Sequence, residues 1–335
     1  MSKDPITPQT SVTVLAGAKI NPLLIVHGRR SDGYHELTSL MLGLDLQDRV
    51  TVRRSETGGF SVESTGPHAT PDISTDETNL AARGAQVALD ALGESADLAI
   101  ELHKAIPSRA GLGGGSSDAA GAALAVLELL RPGWDSGDYS ELEARVVEGL
   151  GELGADCAFF FAARSHGAAV ITGRGERVTP QVWLSPWHIV LVTPSIECPT
   201  PAVYGALALP LIAGPAEGIT HQRSRNSMTQ AHKLLLASAS EASRLVRNEL
   251  QTPALGTFPE LEKWRILFQN LELEHFTLAG SGSSFFGLFE DAAGAQTALE
   301  QVTELARERD LGVRYSGVVR PAKDRLLYVE GSPRP

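Results

Sequence analysis

Apolar and polar positions along the chain repeat with two periods, about two residues in some stretches and three to four in others. Leu98 to Lys104 largely alternates, which predicts a half-buried antiparallel strand rather than the continuous apolar run of a central parallel one. Residues 12–26 read as a strand pair interrupted at Gly17 and turning near Pro22. Thr38 to Val52 is again β-rich, with an acidic turn at Asp45 and Asp48. Helical spacing follows Ser74-x-x-Glu77, a capping-box signature that opens a helix with Leu80, Val87, Ala88 and Ala91 on one face. Gly84 falls on that face and permits close packing, and Gly93 ends the helix. Further helices are predicted over Ser140–Leu153, over 228–250, and around Ala295, Ala298, Leu299, Val302 and Leu305. Ala168–Thr172 and His188–Thr193 read as strands on either side of Pro180–Pro186, the expected lobe boundary. Pro194 to Pro201 is a rigid crossing, and Glu272 to Phe289 reads strand, turn, strand around Gly280-Ser281-Gly282-Ser283-Ser284. Residues 55–76 are turn-rich, and 211–226 read as a loop.

One stretch breaks both periods. Ile106 to Gly121 reads Ile-Pro-Ser-Arg-Ala-Gly-Leu-Gly-Gly-Gly-Ser-Ser-Asp-Ala-Ala-Gly, and a small-residue helix capped by serine continues to Leu130. Glycines let backbone N–H groups approach a ligand closely, and the positive end of the following helix adds to the field. The run predicts an anion cradle, most simply for nucleotide phosphates. It is not a Walker A loop, because Gly115 is followed by Ser116 and no lysine. It is not a dinucleotide fingerprint either, since Gly111-x-Gly113 lacks a third Gly or Ala at position 116.

Composition narrows the partners. The chain has 335 residues, enough for two lobes around a cleft, and 42% of them are hydrophobic. Net charge is −11 and the isoelectric point is about 5.3, and no basic run suggests a nucleic-acid surface. Cys157 and Cys198 form neither a metal-ligand spacing nor a disulfide framework, which points to a reducing, cytoplasmic setting. Met1 to Ser11 lacks the apolar core of a signal peptide, and Ala119 to Leu130 is too short to span a bilayer.

Four clusters then stand in a telling order. They are Ala18-Lys19-Ile20-Asn21, Gly28-Arg29-Arg30-Ser31-Asp32-Gly33-Tyr34-His35, the loop Pro107-x-x-Ala110-Gly111-Leu112-Gly113-Gly114-Gly115-Ser116-Ser117 with Leu153-Gly154-Ala155-Asp156 downstream, and Pro199-Thr200-Pro201 with the Ser-Gly-Ser turn. In this order the chain resembles the GHMP kinase superfamily over nearly its whole length. The Asp-Gly-Tyr-His block resembles the branch whose acceptor alcohol carries a cytidine diphosphate group. The resemblance implies an α+β fold of two lobes. One is a ribosomal-protein-S5-domain-2-like N-terminal lobe over 1–182. The other is a ferredoxin-like C-terminal lobe over 183–335, with ATP and substrate in the cleft between them.

The same resemblance implies roles, each beside a plainer reading. Asp156 would be the general base, although an acid in such surroundings also serves as a structural ion-pair partner. Lys19 would stand beside it and offset developing charge, although lysines are most often surface residues. Asn21 projects in the same direction as Lys19 and would orient the hydroxyl or Asp156. Pro107, Ala110, Gly111, Leu112, Gly113, Gly114, Gly115, Ser116 and Ser117 would hold the ATP phosphates, with Asn79 near the nucleotide. Asp118, in the first turn of the helix, is favourable there without any catalytic part. Tyr34 and Tyr204 would sandwich the cytosine ring, His35 would read its edge, and Thr200 would contact the cytidyl or phosphate groups. Mg²⁺ is expected with ATP, its ligands open. The expected partner is a small molecule bearing cytidine diphosphate, with no nucleic acid or membrane, on a monomer or weak homodimer. Two departures from the family pattern are Pro22, where an apolar residue is usual, and Asn248-Glu249-Leu250-Gln251 in place of Asn-Asp-Leu-Glu. Two other readings stay open: a homoserine or mevalonate type of the same superfamily, and a non-catalytic nucleotide-binding regulator.

Overall fold

The structure is a computed structural model that describes residues 10–55, 58–134, 140–209, 211–212, 219–273 and 275–331. The first nine residues, and 213–218 of the loop expected over 211–226, lie outside the described residues.

Two 20-residue strands, β1 (Ser11–Arg30) and β2 (His35–Arg54), form a long antiparallel hairpin. The turn between them is built by Asp32-Gly33: Gly33 has φ +89°, and the Asp32 carboxylate accepts from the Tyr34 N–H at 3.1 Å. Strand β3 (Phe60–Thr65) runs parallel to β4 (Leu98–His103), which pairs antiparallel with β2. Helix α1 (Leu80–Leu92) connects them, and α2 (Gly114–Leu130) lies against β1 and β2 with nearly every face buried. A built Cβ on Gly84 would run into the Ala119 carbonyl, so α1 and α2 meet backbone to backbone at that glycine. Helices α3 (Ser140–Leu153) and α4 (Ala155–Ala162) follow, then β5 (Gly167–Gly173) beside β2 and β6 (Arg177–Val182) beside β5.

The chain then starts a second sheet at β7 (His188–Pro194). Next come α5 (Thr200–Gly205), β8 (Leu211–Ile212), α6 (Ile219–Leu236), α7 (Ala239–Ser243), β9 (Arg247–Asn248), α8 (Gln251–Thr257) and α9 (Glu260–Asn270). The end of the chain carries β10 (Thr277–Leu278), β11 (Phe285–Phe289), α10 (Ala292–Glu308), β12 (Val313–Val319) and β13 (Leu327–Val329). Among the described residues the second sheet has the order β10-β11-β7-β12, antiparallel throughout, while β8, β9 and β13 return to pair with β1. A shared core joins the sheets: Leu23, Leu40 and Leu42 of the first pack in one cluster with Ile189, Leu191 and Phe286 of the second. This is a two-lobed α+β fold. No helix among the described residues is long and apolar enough to cross a membrane.

Several local expectations are corrected. The strand pair over 12–26 is one strand: Gly17 and Pro22 sit in register shifts of the β1–β2 ladder, where bulges absorb them without reversing the chain. Asp45 and Asp48 lie within β2 and make no turn, and the turn-rich stretch contains β3. Helix α1 is capped by Asn79, not Ser74; the Asn79 side chain accepts from the Ala81 N–H at 2.8 Å and donates to the Ser74 carbonyl at 2.7 Å. Helix α2 is capped by Gly113 in the left-handed conformation, with Ser116 and Ser117 already in its first turn. Residues 219–226 are helical, and the helix expected over 228–250 ends at Leu236.

Candidate active site

A cavity of about 1250 Å³ opens between the β1–β2 turn, the glycine loop and α5. Its floor is the start of α2. The N–H groups of Gly114, Gly115 and Ser116 precede the first intrahelical donor, the Ser117 N–H that bonds the Gly113 carbonyl, and all three residues line the cavity, an arrangement suited to an anion. The glycine loop packs on the Ser-Gly turn by backbone contact. Gly111 has φ +77°, a Cβ there would run into the Ala279 carbonyl, and the Ser284 N–H donates to the Ala110 carbonyl at 3.1 Å. Pro107 and Ala110 line the cavity, as does Asn79. Two of the expected ATP-side residues stay off the cavity wall. Leu112 is fully buried and gives its carbonyl to the Lys19 N–H at 2.9 Å. Ser117 is fully buried and its hydroxyl donates to the Gly17 carbonyl at 2.7 Å. Both dock the loop onto β1.

Lys19 and Asp156, 137 positions apart, meet at this floor. The Lys19 Nζ lies 3.3 Å from Asp156 Oδ2 and donates to Asn21 Oδ1 at 2.8 Å. Lys19 enters from β1 with a side chain 5% exposed; Asp156, in the first turn of α4, is 30% exposed. The carboxylate is therefore reachable from the cavity while its partner is held from behind.

The same cavity carries aromatic groups. Tyr34 and His35 leave the β1–β2 turn, and Tyr204 comes from α5. The His35 and Tyr204 rings lie 5.2 Å apart, whereas Tyr34 is 55% exposed under the Arg174 guanidinium, 5.0 Å from its ring centre. Burial, helped by Arg29, lowers the His35 pKa, so the ring is neutral at pH 7 and offers one donor and one acceptor. Burial raises the Tyr204 hydroxyl well above its ordinary range, with Asp156 adding to the effect. Thr200 Oγ1 sits 2.9 Å from Ser281 Oγ, joining α5 to the Ser-Gly turn.

The sequence reading missed three supports of this site. Lys104, at the end of β4, forms ion pairs with both Asp48 and Asp118, all three buried. Asp48 also accepts from the N–H groups of Ala105 and Ile106 at 2.6 and 2.8 Å, so it pins the approach to the glycine loop. One ammonium serves two buried carboxylates. Burial works to lower the Lys104 pKa, but the two acids outweigh it and raise it. Burial pushes the Asp118 carboxyl up to about 7; Lys104 opposes this and Asp48 adds to it. Second, the Asn248 amide donates to the Leu278 and Gly280 carbonyls at 2.8 and 2.7 Å, bracing the Ser-Gly turn. Third, Arg314 on β12 donates to the Ser108 and Pro194 carbonyls at 2.9 and 3.2 Å, tying the loop to the second sheet. The available signals were Asp48, an acid within a strand-like apolar stretch, Asp118 in the first turn of the helix, and the segment that begins at Asn248.

A profile of the GHMP kinases N terminal domain matches residues 79–164. The chain is 35% identical to a 4-diphosphocytidyl-2-C-methyl-D-erythritol kinase of Deinococcus radiodurans over 84% of this chain and 86% of that one. It is 36% identical to the kinase of the same name from Thermus thermophilus, over 88% and 93%. A solved 4-(cytidine 5′-diphospho)-2C-methyl-D-erythritol kinase superposes with a TM-score of 0.65 at 34% identity, covering 92% of this chain and 99% of that one. A homoserine kinase from Cytophaga hutchinsonii superposes with a TM-score of 0.72 at 18% identity, over 98% and 99%, a likeness of fold alone.

Proposed function

The chain belongs to the 4-diphosphocytidyl-2-C-methyl-D-erythritol kinases of the GHMP superfamily, and we infer that Asp156 and Lys19 are the residues that carry its reaction. The protein is an ATP-dependent kinase that phosphorylates the 2-hydroxyl of 4-diphosphocytidyl-2-C-methyl-D-erythritol in non-mevalonate isoprenoid synthesis.

In this reading Asp156 accepts the proton of the attacking hydroxyl. Lys19, bonded to Asn21, places its remaining N–H toward the transferring phosphoryl group and offsets the charge that develops there. Gly113 to Ser116 bind the ATP phosphates through backbone N–H groups, and Asn79 faces the nucleotide. Mg²⁺, where bound, neutralises phosphate charge. The Ser116 hydroxyl at the helix start suits it, since this ion takes few protein ligands beside phosphates and water. For the acceptor, Tyr34 and Tyr204 stack on the cytosine, neutral His35 reads its edge, and Thr200 contacts the cytidyl or phosphate groups. The division into lobes at 1–182 and 183–335, the cytoplasmic setting and a monomer or weak homodimer belong to the same proposal.

The observation that carries it is the Lys19–Asp156 pair at 3.3 Å, on the wall shared with the glycine loop. The test is phosphoryl transfer from ATP to a panel of alcohols. Turnover on the cytidyl acceptor, with none on homoserine or mevalonate, is expected. The reverse pattern overturns the acceptor, and ATP binding without transfer to any alcohol supports the regulator instead.

A further inference from the structure

We propose that Ser39 is a positioning residue for the reaction: it fixes the Asn21 amide and, through it, the Lys19 ammonium. The inference rests on the reading of Lys19 and Asp156 as the reacting pair. Ser39 lies on β2, where it pairs with Leu24 of β1, and it is 1% exposed at the cavity wall. Its hydroxyl donates to the Leu23 carbonyl at 2.7 Å. A serine has one hydroxyl proton, so toward Asn21 it can only accept. The Asn21 Nδ2 donates to Ser39 Oγ at 2.9 Å, which turns Oδ1 toward Lys19, where it accepts from Nζ at 2.8 Å. Lys19 in turn reaches Asp156 at 3.3 Å.

The chain from Leu23 to Asp156 has a single consistent polarity. Turning the amide over would set Nδ2 against the ammonium and Oδ1 against the Ser39 lone pairs. One Lys19 N–H then goes to Asn21 and one faces Asp156, which leaves the third for the cavity. The relay also gives Pro22 a place. The β1–β2 ladder slips between Ile20 and Leu23, and Pro22 sits in that bulge between Asn21 and the Leu23 carbonyl. Bulges re-aim side chains beside active sites, and proline, which has no N–H to lose, suits one.

Removing the Ser39 hydroxyl leaves a buried N–H of Asn21 without its acceptor and frees the amide to drift, and small misplacements of reacting groups are costly in rate. The test is a double-mutant cycle in kcat with Ser39→Ala, Asn21→Ala and the double variant, using saturating ATP and the cytidyl acceptor. Ser39→Ala is expected to lower kcat about 10- to 50-fold while the KM for ATP stays within about twofold. In the Asn21→Ala background the same change is expected to lower kcat less than about twofold. If Ser39→Ala does not fold, Ser39→Cys, whose thiol accepts poorly, takes its place in the cycle. A kcat near wild type for the Ser39 variant, or an equal loss in both backgrounds, overturns the proposal. An Asp156→Asn control separates the two readings. If it is inactive while Ser39→Ala is unaffected, only the role of Ser39 falls; if it is active, the reacting pair falls as well.

Discussion

Two lysines stand at the wall of one cavity in opposite circumstances. Lys104 is closed in with Asp48 and Asp118, side chains 4%, 0% and 4% exposed. Lys19 is equally covered, but its partner Asp156 is 30% exposed. The ion-pair chemistry is the same, and access decides what each cluster is for. The closed cluster cannot meet a substrate hydroxyl. It joins β2, β4 and α2, and it holds residues 105–106 in the path that leads to the glycine loop. The open pair presents a carboxylate to the cavity, the placement that proton transfer needs. An ion pair beside a ligand site therefore says little until the exposure of each partner is known.

The largest difference between the two clusters should appear when each lysine is made neutral. Lys104→Met leaves two buried carboxylates without a cation and is expected to cost about 3–5 kcal/mol of stability, read by urea unfolding. Lys19→Met should instead lower kcat about 10²–10³-fold while unfolding changes by less than about 1 kcal/mol, because Asp156 retains solvent. If the two variants exchanged these signatures, the assignment of working and structural clusters would be reversed.

Next in size is the loop that both clusters serve. Gly111→Ala meets the Ala279 carbonyl in a left-handed conformation, with strain of about 1–3 kcal/mol, so the KM for ATP should rise about 5- to 150-fold. An unchanged KM would mean that the glycine loop does not need its seat on the Ser-Gly turn. The last effect is a slope rather than a step. The Asp118 carboxyl is raised to about 7 in the fold, against an ordinary value near 4 when unfolded. Between those values the folded state holds the extra proton, so this group makes stability fall as pH rises from about 4 to 7, then level off. Asp118→Asn mimics the neutral form and should remove that part of the slope in urea unfolding across the same range. An identical slope in both proteins would remove Asp118 from the account.

How far the site was legible follows the same divide. The open pair could be read because Lys19 and Asp156 each sit in a short block of distinctive neighbours. Periodicity alone marked β4, α3 and the face of α10 with Ala295, Ala298 and Val302. Lys104 with Asp48 could not be read, because the partners are 56 residues apart and meet only through strand pairing. An acid amid strand residues looks like a turn until its buried partner is known. Strand β1 was misread for a related reason: glycine and proline punctuate a chain locally, but a paired strand can take both into bulges. The cap of α1 fell to Asn79 over Ser74 because both residue types favour that position, and the Ser74 carbonyl is what the Asn79 amide binds.

The central claim is that Asp156 takes the proton of the acceptor. Single-turnover phosphoryl transfer by Asp156→Asn, with ATP and the cytidyl acceptor saturating, tests it most directly. A rate lower by about 10²–10⁴-fold, with unfolding unchanged, is predicted. A rate within a few-fold of wild type would contradict it.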